Sequence, residues 1–488
     1  MTTPFLPAFR SCLAPLGART ARVAAQVRAH TLCQLEVCFG AWLPADLFPK
    51  ARCRANSRNR HYTASRTFWC ALWQSLNPGA SGREVVRQLQ AAFRLEGGPQ
   101  LSAEDGGYCR ARDRLPMAPF PKALAGTAKA ARQLAGPAAS LQGRPVKVVD
   151  GTALTLLADT RKNRAAYPAS QCRPGQPGFP MMRVVVLFCL VSGAILAAAN
   201  GSLAVSELAL LNQLTGFLAK EDILLGDRGF GGFPLIAFLK QNLAVDFIGR
   251  TTRRLDGRQR KQRLGHNDWL VAWKKGCIPS AWMTPAQWQA LPDTLDIRMV
   301  KGTWSRKGFR VRQVVVVTTL LEAQTYPPEE ILAAYLRRWA LEMCLDDLKT
   351  TLGMESLRSR SPGMARKELY QRLIAHNLIR CTMASAAAEH QLPLERISFK
   401  GCLDGFRQYA HAMARAKTKK MRRKLWAELL VTLAADPVPE RIGRREPRAV
   451  KRKKNRYPRL VAPRHLFRDR LKRHDRRKHS RLRKLGLM

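Results

Sequence analysis

The sequence predicts an α/β fold in which a mixed sheet is flanked by helices, and three observations lead to this prediction. Short apolar segments alternate with segments of helical periodicity between residues 141 and 410. Two of the predicted strands end in an aspartate beside a glycine, at Asp150 and at Asp227, which is a typical functional placement. The third observation is a helix over residues 335–349 whose polar face carries an acid between cations.

Composition limits the function classes. The chain has 488 residues, more than one core accommodates, so two or three domains are expected. It carries 84 Lys and Arg against 35 Asp and Glu, a net charge of +49. Such a charge predicts a polyanionic partner, of which nucleic acid is the commonest. An acidic membrane surface is the alternative, but the sequence shows neither a basic amphipathic helix nor an anchor.

The longest apolar run and the cysteines give two further expectations. Residues 184–199 are short for a membrane span and are interrupted by Ser192 and Gly193, which predicts two buried strands joined by a turn. The twelve cysteines are scattered without any C-x-x-C pair. They predict reduced thiols in a cytosolic protein.

The predicted domain organisation has five parts. Residues 1–140 form a mostly helical DNA-binding region with helices from Thr67, after Ser81 and from Gly107, although the same helices suit any small bundle. The catalytic core then comes in two parts, 141–250 and 313–410, separated by a β-rich insertion at 251–312. Residues 411–488 form a basic helical region and tail, and 451–488 hold 17 Lys and Arg against two Asp.

The segment 335–349 contains no proline or glycine and is rich in helix formers. At about 100° per residue, Tyr335, Arg338, Glu342 and Lys349 fall within a sector of roughly 60°. Solvated helices usually pair opposite charges one turn apart, so an exposed salt-bridged face is the alternative interpretation. An acid flanked by cations suits a site that holds a metal ion and contacts a phosphate.

Three acids are the candidate metal ligands: Asp150, Asp227 and Glu342. Adjacent strands would bring the two aspartates together, and the helix can place Glu342 over them. Carboxylates this close repel unless divalent cations lie between them. Oxygen ligands suit Mg²⁺ or Mn²⁺, and two such ions catalyse phosphoryl displacement. A simple turn is the alternative role for Asp150, while Asp159 and Asp346 are rival acids.

Here the sequence resembles a known family. The spacing Y-x2-R-x3-E-x6-K in residues 335–349 is similar to the signature of a large group of bacterial insertion-sequence DDE transposases. Asp150-Gly-Thr and Asp227-Arg-Gly-Phe look like the family's two aspartate motifs. The tracts 167–183 and 107–112 also look familial, and the resemblance covers roughly residues 65–465.

The resemblance implies a ribonuclease-H-like core interrupted by the β-rich insertion. It also implies Mg²⁺-dependent cut-and-paste transposition, in which water nicks each element end and the freed 3′-OH attacks target DNA. The implied partners are double-stranded DNA, as terminal inverted repeats and target, and a second copy in a homodimer. A cytoplasmic, nucleoid-associated protein is expected. Carried over residue by residue, the metal ligands are Asp150, Asp227 and Glu342, and the phosphate contacts are Tyr335, Arg338 and Lys349.

Two other functions stay open on the sequence. One is a catalytically inactive, transposase-derived protein that only binds DNA. The other is a metal-dependent nuclease of unrelated biology, which would share the core but not the phosphate-contacting helix. Retention of all three acids favours the enzyme, because a pure binder gains nothing from carboxylates in a basic groove.

Overall fold

A computed structural model describes residues 35–48, 61–95, 100–136, 141–169, 178–251, 259–304, 312–416 and 418–439, and four positions between 477 and 483. The first 34 residues lie outside these ranges. The predicted basic tail beyond residue 439, with its charge run at 451–488, also lies outside them except for those four positions. Part of the tract 167–183 and the arginines at 253–258 also lie outside them. Among the helices in the described ranges, none is long and apolar enough to cross a bilayer.

The chain folds into two compact units. Unit 1 comprises residues 1–135, 347–353 and 367–438. Unit 2 comprises residues 136–346, 354–366 and 439–488.

Unit 1 is helical in its described part. The N-terminal helices begin where the sequence places hydroxyl caps: Thr63 Oγ1 accepts from the Arg66 N–H, and Ser81 Oγ accepts from the Glu84 N–H at 3.1 Å. The helices predicted from Thr67, after Ser81 and from Gly107 are present, and they begin at Ala64, Gly82 and Gly106. The helices wholly within unit 1 are α1 (Leu35–Phe39), α2 (Ala64–Leu76), α3 (Gly82–Leu95), α4 (Gly106–Arg114), α5 (Pro119–Ala135), α12 (Phe399–Arg415) and α13 (Lys419–Ala435).

The core of unit 1 joins helices from both ends of the sequence. The rings of Phe39 and Phe406 lie 4.5 Å apart, so α1 packs on α12. The guanidinium of Arg407 donates to the carbonyl oxygen of Leu76 at 2.8 Å and satisfies the end of α2. N-terminal and C-terminal helices therefore form one folded body.

A nine-stranded mixed sheet forms the centre of unit 2, in the order β4-β3-β1-β5-β6-β10-β9-β8-β7. Strands β1, β5 and β6 are parallel to one another, and every other neighbouring pair is antiparallel. The strands are β1 (Val146–Leu154), β3 (Met182–Cys189), β4 (Ile195–Ser202), β5 (Ile223–Gly226), β6 (Asp246–Gly249), β7 (Arg260–Gly265), β8 (Asp268–Lys274), β9 (Thr294–Trp304) and β10 (Arg312–Thr318). A separate two-stranded sheet pairs β2 (Leu156–Leu157) with β11 (Ser356–Leu357).

The sheet confirms the prediction for residues 184–199, which contribute to the antiparallel pair β3 and β4. Strands β7, β8 and β9 of the segment between residues 251 and 312 extend the same sheet beyond β10. The remaining helices are α6 (Arg161–Ala166), α7 (Glu207–Asn212), α8 (Phe233–Leu243), α9 (Pro285–Ala290), α10 (Pro328–Asp346) and α11 (Pro362–Glu389).

Successive residues of β1 face opposite sides of the sheet. Val149 joins an apolar cluster with Leu210 of α7 and Leu239 of α8. On the other side, Asp150 faces α10, as its contact with Arg338 shows. Helices therefore flank the sheet on both faces, as predicted.

A buried ion pair fixes the outer strands. The guanidinium of Arg298 on β9 and the carboxylate of Asp268 on β8 are almost fully buried and 2.6 Å apart. Arg298 also donates to the carbonyl oxygen of Tyr326 at 2.7 Å, in the segment that leads into α10. The pair thereby links the sheet extension to the start of the helix that carries Glu342.

Candidate active site

Asp150 lies within β1 and does not end it. The strand continues to Leu154 because its antiparallel pairing with β3 persists to Met182. The prediction that Asp150 terminates a strand is therefore wrong. However, the parallel pairing with β5 stops at Val148 opposite Leu225, so Asp150 lies just beyond the end of that ladder.

Asp227 directly follows β5, as predicted. Its Oδ1 accepts from the Gly229 N–H at 2.8 Å, which holds the side chain in a tight turn. A Cβ on Gly231 would lie 1.6 Å from the carbonyl oxygen of Arg250, so this position requires glycine. The motif Asp-Arg-Gly-Phe-Gly is thus a turn that packs directly on the backbone after β6.

On α10, Arg338 joins two of the acids. Its Nη2 donates to Oε1 of Glu342 at 2.9 Å, and its Nη1 lies 3.9 Å from Oδ2 of Asp150. The arginine side chain is buried and lies 5.7 Å from the centre of the buried Tyr335 ring. Its Nε is buried without a hydrogen-bond partner in the described part of the protein. The Glu342 side chain, in contrast, is 54 % exposed.

The acids interact electrostatically. Burial raises the pKa of Asp150 to about 6, and the charges of Asp227 and Glu342 act in the same direction. The N–H of Gly151 and the guanidinium of Arg338 oppose this rise. The Asp150 carboxylate is therefore destabilised, and an additional cation nearby would favour its charged form.

The donor set fits a hard divalent cation, since all three groups are carboxylates whose charges affect one another. Within the described ranges, however, no three His, Cys, Asp or Glu side chains are close enough together to hold a metal ion. Arg338 instead supplies the positive charge between Asp150 and Glu342. Holding a metal ion therefore requires these side chains to rearrange.

Lys349 differs from its predicted setting. The α-helix ends at Asp346, and residues Asp347–Thr351 continue as a π-helix in unit 1. The prediction of a single α-helix that reaches residue 349 is therefore wrong. The rotation of about 100° per residue, which applies to an α-helix, does not hold as far as Lys349. Of the rival acids, Asp159 pairs with Arg164 at 2.5 Å, and Asp346 is exposed at the end of α10.

Arg250 is a cation near the site that the sequence reasoning did not select. It follows β6 as Asp227 follows β5, because Gly226 and Gly249 are register partners in the parallel pair. Its charge lowers the pKa of Tyr335, whose overall shift is upward because of burial. A sequence pattern could have identified Arg250: a strand that ends in glycine and is followed by a charged residue occurs at Gly226-Asp227 and again at Gly249-Arg250.

Comparisons with known proteins show which family and which relative the chain resembles. A family model described as a transposase DDE domain matches residues 141–378. That range includes all three acids. A relative in Escherichia coli (strain K12), the transposase InsG for insertion sequence element IS4, is 27 % identical over 361 residues, covering 72 % of this chain and 77 % of that protein.

These two matches support the function of an insertion-sequence transposase for this chain. The transposase is also similar in structure to a piggyBac transposase, solved as a synaptic complex with hairpin DNA. The TM-score is 0.38 with 10 % identity, over 90 % of this chain and 86 % of the other. The match to the transposase DDE domain implies the activity of a polynucleotidyl transferase and endonuclease.

Proposed function

We propose that this transposase cleaves DNA at the ends of its own element and joins the freed ends to target DNA, using divalent metal ions. In this proposal Asp150, Asp227 and Glu342 hold Mg²⁺, in a ribonuclease-H-like core. The observation that carries it is the convergence of Asp150 and Glu342 on the Arg338 guanidinium, with Asp227 within electrostatic range. The order β4-β3-β1-β5-β6, with helices on both faces, supports the proposed core.

The metal would supply Lewis-acid activation of the attacking oxygen and stabilisation of the leaving oxygen. The protein supplies the ligands and their positions. Asp150 is fixed by the strand and by the Gly151 N–H at 2.8 Å, and Asp227 is fixed by its turn. Glu342 is the least restrained of the three, because its side chain is the most exposed and is held by a hydrogen bond from Arg338.

The remaining residues of the proposed signature contact the DNA backbone. Once released from the acids, the Arg338 guanidinium can donate two parallel hydrogen bonds to a phosphate. Tyr335 holds that guanidinium from the side, and Lys349 is proposed as a further phosphate contact. These roles place cationic and neutral donors around the scissile phosphate, where negative charge develops.

The proposal includes the partners. Two element ends must be joined in one event, so a homodimer on double-stranded DNA is proposed, with each copy cutting one end. Association with the nucleoid would follow from the net charge of +49.

The test is cleavage of DNA that carries the flanks of the chain's own gene. The wild type is expected to nick these ends with Mg²⁺ and not with EDTA, and Asp227→Ala is expected to bind the same DNA without nicking it. Arg228→Ala, which changes the neighbouring exposed side chain, is the matched control and should retain cleavage. If Asp227→Ala cleaves as well as the wild type, the assigned site is wrong. If the wild type binds the ends but never cleaves, the chain is a catalytically inactive DNA-binding protein.

A further inference from the structure

A cavity of about 550 Å³ lies within unit 1, between α1, α12 and the first turns of α13. Its size is that of sites that hold a small ligand or one anchoring group of a larger one. Apolar side chains from α1 and α12 line it together with two tryptophans, three cations and one acid. Such a lining matches a ligand with a planar apolar part and a negative charge.

The cations are Lys419, Arg422 and Arg423, all near the start of α13. Positive side chains are unfavourable at this end of a helix, because the helix dipole is positive there. None of the three forms an ion pair in the part of the chain that the structure describes, and the first acid of the helix is Glu428. Their clustering therefore costs stability unless an anion binds beside them.

The two tryptophans of the cavity are held in place by contacts with other aromatic rings. The rings of Trp42 and Trp426 meet edge to face at 5.7 Å. Trp42 in turn stacks on Phe39 at 5.6 Å, and Phe39 packs on Phe406 in the core of unit 1. Aromatic surfaces beside cations are the usual means of holding unpaired nucleobases, which stack while their phosphates pair with the cations.

We propose that this cavity binds an unpaired nucleotide of a DNA strand. The base would stack on Trp426 and meet the Trp42 ring edge to face. Lys419, Arg422 and Arg423 would contact its phosphates, and Glu389 would accept a hydrogen bond from a base amino group. A free phosphate would leave the aromatic lining unused, and an apolar ligand would leave the cations unpaired. The inference rests on the proposed function in that DNA is the expected polyanion, but it concerns a second site built wholly within unit 1.

Two dye-labelled 12-nucleotide strands test it by fluorescence anisotropy with the full chain. One strand is oligothymidine, and the other has the same backbone with abasic residues at its six central positions. Both have the same number of phosphates, so the rest of this basic protein binds them alike. The wild type is expected to bind the strand with bases at least about fivefold more tightly, and Trp426→Leu is expected to reduce that ratio to near one.

Charge variants provide the complementary result. Arg423→Gln should weaken binding of both strands equally. The slope of log K plotted against log salt concentration should become shallower by about 0.7, as expected when one phosphate contact to a single strand is lost. Lys220→Gln, an exposed lysine of unit 2, should change neither the ratio nor the slope. A folded Trp426→Leu protein that keeps the wild-type ratio would overturn the proposal.

A measurement on the wild type covers the case in which the leucine variant does not fold. Irradiation of a bound strand containing 5-iododeoxyuridine should crosslink to the peptide that contains Trp426 or Trp42. Crosslinks confined to other peptides would overturn the proposal. If these crosslinks form but the protein does not cleave element ends, the proposed function is contradicted and the nucleotide-binding cavity is not.

Discussion

The Arg338 guanidinium donates to Oε1 of Glu342 at 2.9 Å, one turn further along α10. It also lies 3.9 Å from Oδ2 of Asp150, so one buried cation joins two acids far apart in the sequence. A divalent ion held by the proposed site would occupy the same region of negative potential, so the arginine and the metal would compete for these carboxylates. Under the proposed function, Arg338 would contact phosphate only when metal has replaced it beside the acids.

Replacing Arg338 tests this competition. Arg338→Gln should bind Mn²⁺ several-fold more tightly in the absence of DNA, since removal of a nearby positive charge is worth about 1 kcal/mol. Cleavage of element ends should fall by about 10²-fold, because a donor to the phosphate is lost. Isothermal titration with Mn²⁺ measures the first effect. Arg337→Gln removes a neighbouring exposed cation and should change Mn²⁺ affinity little; equal effects of the two variants would exclude the competition.

The turn that holds Asp227 gives a prediction about stability. A methyl group at Gly231 cannot fit 1.6 Å from the carbonyl oxygen of Arg250, so Gly231→Ala must displace the turn or the end of β6. The free energy of unfolding should fall by about 3 kcal/mol, measured by urea denaturation. Gly216→Ala, where a Cβ meets nothing within 4 Å, is the control and should stay within about 1 kcal/mol of the wild type. If both variants are equally stable, the close approach is not as described.

The sheet extension offers a comparison of buried and exposed ion pairs. Asp268→Asn leaves the Arg298 guanidinium buried without its carboxylate, which should cost about 3–5 kcal/mol. Asp296→Asn breaks the pair with Lys261, whose side chains are 39 % and 50 % exposed, and should cost less than about 1 kcal/mol. Thermal unfolding of both variants, in low and in high salt, measures the difference. A small effect of Asp268→Asn would show that the pair does not fix these strands.

Much of unit 2 was predictable because its strands are local apolar runs. Residues 184–199 gave β3 and β4, and the glycine after Leu225 correctly placed Asp227 at a strand end. The end of β1 was predicted wrongly because the sequence of a strand does not show which neighbour extends its pairing. The antiparallel ladder with β3 carries β1 past Asp150 to Leu154.

Two features of the site were not predictable from local patterns. The π-helical turn from Asp347 depends on how the end of α10 packs, and an ideal helical spacing carried to Lys349 misses it. The contact between Arg338 and Asp150 depends on how α10 crosses the sheet. The spacing of residues along the sequence gives no information about that crossing. The residue types of the proposed site were predicted from the sequence, whereas their arrangement depends on the fold.

Asp150, Asp227 and Glu342 are proposed to form one metal site. A crystal structure of the protein with element-end DNA and Mn²⁺, with anomalous scattering recorded for manganese, tests it most directly. We expect manganese peaks roughly 2 Å from carboxylate oxygens of all three residues, with Arg338 turned to a phosphate. Manganese bound elsewhere, or Arg338 still paired with Glu342 in the metal-loaded complex, would contradict it.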